Sequence, residues 1–160
     1  MDERITKAYK SASDLYLEHG ACSQCVVAAV MEVMEIDLNA LVKSAHFLAG
    51  GGCLMGNGTC GALAAGELVL GYYYGRKREE FDQGKFKDRL LIGKQLWDKF
   101  QQKYGGTTCD YFREKLTGEQ FDMWSKEDVT ASKKKMKKDC ADMTGTVAGW
   151  VVEIILGNNL

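Results

Sequence analysis

Apolar side chains recur at three- and four-residue steps along most of this chain, and the pattern is interrupted by glycine and never by proline, of which there is none. Such recurrence marks amphipathic helices, because 3.6 residues per turn bring those positions onto one face. Between about Arg4 and Glu18, Ile5, Ala8, Tyr9, Ala12, Leu15 and Tyr16 form one stripe, and Gly20 is its natural stop. A second helix is predicted to open near Cys22 and run through CSQCVVAAVMEVME, and a third to cover about Leu38 to Leu48 before Gly50, Gly51 and Gly52. A fourth starts at Thr59 or Cys60 and continues through CGALAAGELVLGYYYG, whose small residues invite close helix packing. A fifth spans about Glu79 to Lys103 with Phe81, Leu90, Leu91, Trp97 and Phe100 as its core face, interrupted by Gly84 and Gly93. A short helix follows Cys109, and the last runs from about Thr130 to Leu156.

No alternating strand pattern, long linker or internal repeat appears. The expectation is therefore an all-α fold: a single compact domain over residues 1–160, of about five to seven helices with glycine-rich, cysteine-bearing loops. A domain of 160 residues can bury ~70% of its unfolded surface, so its six cysteines are not needed as covalent staples. The last helix is lysine-rich at its start and apolar all round at its end. Such an end must be buried centrally or shared with a second subunit, which predicts a homodimer.

Twenty-one Lys and Arg against 22 Asp and Glu leave a net charge of -1, which supplies no general attraction for nucleic acid or an anionic membrane. The N-terminus MDERITKAYK lacks the apolar core of a secretory signal, and the run from Thr146 to Leu156 is short of the ~20 residues a membrane span needs. These features predict a soluble cytoplasmic protein. In a reducing compartment, cysteines serve metal binding or redox chemistry more often than disulfide frameworks.

The glycine-dense segment GGGCLMGNGTCGALAAGE, Gly50 to Glu67, contains G-x-G-x-x-G from Gly56 to Gly61. A dinucleotide-binding loop of that form must leave a strand and open a helix, and the preceding ALVKSAHFLA reads as helical. A Walker loop fails because Asn57 stands where its lysine must be. The segment instead delivers cysteines. Cys22, Cys53, Cys60 and Cys109 each follow a glycine-rich or hydroxyl-rich stop and precede apolar helical sequence. Thr59 and Thr108 are placed to cap helices that begin with Cys60 and Cys109. Unpaired N–H groups at a helix N-terminus favour thiolate over thiol, so lowered cysteine pKa values are expected there.

Cys22 and Cys25 form C-S-Q-C on one helical face. A thioredoxin-type reading requires a preceding strand and a cis-proline, and Val26 rules out C-x-x-C-H haem attachment. Zinc sites are usually built from two close pairs, and only one is present. Cys140 lies inside the last helix, after the basic run SKKKMKK, which reads as a solvated face. His19 and His46 read as ordinary surface or core histidines.

Taken together, ACSQCVVAAV, GGGCLMGNGTCGAL, YGGTTC and the cysteine of the last helix resemble the redox-active proteins called C-GCAxxG-C-C, from Ala21 to about Leu156. The resemblance implies a small all-helical redox domain whose four cysteines correspond to Cys22, Cys60, Cys109 and Cys140. Similar domains occur in split-Soret cytochromes c, where an iron–sulfur centre is associated with this part. Two departures stand out: CGALAAG has Ala65 where the pattern asks for glycine, with Gly66 displaced by one, and Cys25 and Cys53 are additional.

The leading expectation is an iron–sulfur redox or electron-transfer protein with a redox partner protein. Its [4Fe-4S] or [2Fe-2S] cluster would be held by Cys22, Cys60, Cys109 and Cys140, with Cys25 and Cys53 as further candidate ligands. Two alternatives stay open: a cluster-free thiol–disulfide oxidoreductase using Cys22 and Cys25, and a structural zinc domain.

Overall fold

A computed structural model describes residues 2–158. Seven α-helices follow in chain order: α1 (Glu3–His19), α2 (Cys22–Met34), α3 (Asn39–Ser44), α4 (Gly61–Tyr74), α5 (Lys87–Tyr104), α6 (Cys109–Thr117) and α7 (Lys126–Gly157). Short 3-10 turns at Ala45–Leu48 and Arg78–Glu80 fill two connections, and no strand is present among the described residues.

The organising element is α7, which packs along α1 and also meets α2, α4, α5 and α6. Its apolar end is what the other helices enclose: Val147, Ala148, Val151 and Val152 are wholly buried. The burial that this stretch demands is thus met inside one chain. By length and composition α7 would suffice to cross a bilayer, yet 61% of its most apolar 18-residue window is buried in the fold. Helix α1 lies flat on α7 because Ala8 and Ala12, both wholly buried, give it a low-profile face.

Local chemistry starts the helices. Asp2 accepts from the Arg4 N–H at 2.9 Å to cap α1, and Ser125 accepts from the Asp128 N–H at 3.4 Å to cap α7. That serine starts α7 at Lys126, four residues before the expected Thr130. The fifth helix differs more. It begins at Lys87 rather than near Glu79, because Gly84 takes φ +142° and the chain from Arg78 folds into a turn. Arg89 closes that turn through an ion pair with Glu80 at 2.8 Å. The expected core face is also corrected: Phe81, Leu90 and Leu91 are exposed at 48%, 69% and 61%. The buried stripe is Ile92, Leu96 and Phe100, whose steps of four return to the same side of the helix while Leu90 and Leu91 point elsewhere.

Candidate functional site

Two loops from distant parts of the chain are zipped together. The Cys60 N–H donates to the Thr107 carbonyl at 2.6 Å, Cys109 N–H to the Gly58 carbonyl at 3.2 Å, and Asp110 N–H to the Gly56 carbonyl at 2.9 Å, around an isolated Thr59–Thr108 bridge. Glycine is required at the crossing: Gly56 has φ +87°, and a Cβ there would lie 1.9 Å from Asp110 Oδ1. The zipper sets the starts of α4 and α6 side by side. Thr108 caps α6 as expected, accepting from the Tyr111 N–H at 3.2 Å. Thr59 does not cap α4, since the bridge engages it, and Cys60 itself occupies the N-cap position.

Cys22, the first residue of α2, approaches from the other side. Its Sγ rests where a Cβ on Gly61 would be only 2.7 Å away, so the glycine after Cys60 is the clearance for the Cys22 thiol. Cys140 reaches the same space from the middle of α7, with the Tyr16 hydroxyl of α1 against its thiol. The result is a cavity of about 520 Å³ lined by Cys22, Cys60, Cys109 and Cys140 from four helices, and by Cys53 from the glycine loop.

All six thiols are free, and they are not equivalent. Cys60 is buried and donates to Met143 Sδ at 3.5 Å. Cys53, expected to precede a helix, is instead exposed on the loop at φ +46°, because Cys53 and Leu54 take left-handed backbone in the turn and the next helix starts only at Gly61. Cys25 is buried, does not line the cavity, and donates its S–H to the Gly20 carbonyl at 3.0 Å. Among the described residues, no three His, Cys, Asp or Glu side chains draw together tightly enough to hold one metal ion.

The expected lowering of thiol pKa values is corrected. Burial pushes the Cys60 thiol well above its usual range, and the N–H groups of Ala62 and Leu63 at the start of α4 oppose this only in part. Burial likewise raises Cys22, against N–H groups of Gly50, Ser23 and Ala62. Cys109 is pushed up to about 11 by burial, with the Arg113 guanidinium opposing, and Cys140 to about 12 by burial and then by Cys22 nearby. The reason is that helix ends supply partial charges, whereas leaving water costs a thiolate its whole solvation.

The chain matches the model of a family described as putative redox-active protein, C-GCAxxG-C-C, over residues 21–154. It belongs to the C-GCAxxG-C-C family. Neither a curated protein nor a solved structure matches it.

Within this C-GCAxxG-C-C protein, the displaced glycine has a packing role. A Cβ on Gly66 would meet Leu96 Cδ2 at 2.6 Å, Val147 Cγ1 at 3.0 Å and Val151 Cγ2 at 3.1 Å, so the residue lets α4 close against α5 and α7. It faces the core and does not line the thiol cavity. Sequence reasoning missed Arg113 as a member of the site, although it stands one helical turn after Cys109; it is 3% exposed and lines the cavity. Tyr16 was legible only as part of the α1 stripe. Lys133 and Lys137, read as solvated face, also line the cavity, as do the exposed His19 and His46.

Proposed function

We propose that this member of the family is an iron–sulfur redox protein whose cluster is held by Cys22, Cys60, Cys109 and Cys140. The observation that carries the reading is that these four thiols, far apart in sequence, line one largely apolar cavity from four different helices. The donor set fits. Four thiolates are the usual ligands of such clusters, which spread them over several irons, whereas one zinc ion needs its donors gathered about a single point. The cavity offers four thiols from separate elements, the number such a cluster takes.

A bound cluster supplies one-electron transfer. The chain's own residues would bind and tune it. Ala62 and Leu63 aim N–H groups at the Cys60 sulfur, and the Arg113 guanidinium beside Cys109 offsets thiolate charge. Phe112, Met136 and Met143, all buried, limit water at the sulfurs. Cys25, outside the cavity, is not among the proposed ligands, and its thiol, raised to about 12 by burial, is a poor partner for disulfide exchange. Electrons would pass to and from a partner protein.

Anaerobic reconstitution with iron and sulfide tests the proposal. Cys60→Ala and Cys109→Ala should lose the visible absorbance of the wild type, and Cys25→Ala should keep it. Wild-type protein that retains neither iron nor sulfide would refute the assignment.

A further inference from the structure

The thiol cavity has a second character. Its wall includes three cations, Arg113, Lys133 and Lys137, and no Asp or Glu at all. In a chain with 22 acidic residues against 21 basic ones, this wall carries charge of one sign. Arg113 is the inner cation. Its Nη1 donates to Asp110 Oδ1 at 2.8 Å, its guanidinium also meets the Cys109 sulfur, and the residue is 3% exposed.

Lys133 and Lys137 stand one turn apart on α7 at the open side of the cavity. Among the described residues neither has an ion-pair partner, whereas the intervening Lys135, outside the cavity, pairs with Glu119 at 2.6 Å. The lining also includes apolar Phe112, Met123 and Met136 and the exposed indole of Trp124. Cations at the rim above an apolar, sulfur-lined interior match a ligand with a charged end and a hydrophobic body.

We infer that the cavity binds a small organic oxyanion, a carboxylate or phosphate ester on an apolar body, with its charge on Lys133 and Lys137 and its body against Phe112, Met123 and Trp124. That this ligand is the redox substrate rests on the function proposed above; that it binds does not.

Isothermal calorimetry with benzoate, phenylphosphate and the neutral benzamide tests it, on reconstituted and on cluster-free protein, with iron and sulfide measured on the same samples. At least one anion should bind about tenfold tighter than benzamide, and the exposed-site variant Lys133→Gln/Lys137→Gln should lose about that factor without a change in melting temperature. The better of the two anions identifies carboxylate or phosphate as the recognised group. Equal binding of anions and benzamide, an unaffected double variant, or anion binding confined to cluster-free protein would overturn the inference, the last by making the cations mere counter-charge to the thiolates. Where no iron is taken up, the cluster-free titration decides. Anion binding without iron refutes the cluster alone, and iron without anion binding refutes only this site.

Discussion

Gly61→Ala isolates the contact that joins the family's first two cysteines. The added Cβ would lie 2.7 Å from Cys22 Sγ, 2.9 Å from the Leu48 carbonyl oxygen and 3.1 Å from Ala49 Cα. Two of these neighbours are backbone atoms and cannot step aside cheaply. The thiol, fixed at the first residue of α2, can swing only into the cavity. Overpacking of this kind costs about 1–3 kcal/mol. Replacing glycine by alanine in a helix returns at most about 1 kcal/mol. The net is a destabilisation of up to about 3 kcal/mol, or a fall in Tm of up to about 12 °C for a domain of this size. Gly71→Ala is the internal control, because it sits in the same helix with nothing within 4 Å of its Cβ position. It should raise stability by the propensity gain alone, about 0.5–1 kcal/mol. Urea unfolding of both variants separates the clash from propensity, and alkylation mass spectrometry should find Cys22 more reactive in Gly61→Ala. If both variants are stabilised alike and Cys22 reactivity is unchanged, the clearance role of Gly61 is wrong.

Gly66→Ala should lower the urea midpoint by the equivalent of about 1–3 kcal/mol, since its Cβ would press on Leu96, Val147 and Val151 together, and a neutral outcome would deny the close approach of α4 to α5 and α7. Glu67 carries a pH prediction. Burial raises its carboxyl pKa, and the hydrogen bond from the Trp97 indole N–H opposes this only in part. The folded state therefore holds that proton more tightly than the unfolded chain, so the group's contribution is most favourable below its ordinary value of 4.5 and declines as pH rises through the raised folded pKa. Glu67→Gln should be more stable than wild type at pH 7 and flatten the stability profile above pH 4.5; equal slopes for the two proteins would contradict the burial argument.

Much of the fold was legible because helices are local. The α1 stripe, the glycine stop at Gly20, the start of α2 at Cys22 and the Thr108 cap each follow from contacts within about four residues, the range over which a helix repeats. The failures share a cause. Leu90 and Leu91 were assigned to the core on hydrophobicity alone, but the phase of α5 was decided by the turn at Gly84 and the Glu80–Arg89 pair, which set where the helix begins. The start of α7 was misread in the same way, its serine cap being outweighed in the pattern by the lysine run that follows.

The amino-acid sequence by itself determined that Cys22 and Cys109 open helices, that the fold is all-α, and which family the chain belongs to, because each of these is written in short runs of neighbouring residues. Only the tertiary structure decided which thiols meet. The backbone zipper at Thr59–Thr108 and the clearance at Gly61 gather Cys22, Cys60, Cys109 and Cys140 around one cavity, admit Cys53 at its edge and leave Cys25 outside. Burial in that cavity raised the thiol pKa values that helix N-termini alone would have lowered. Solvation is a property of everything that surrounds a group, and no run of neighbouring residues encodes what will come to surround it.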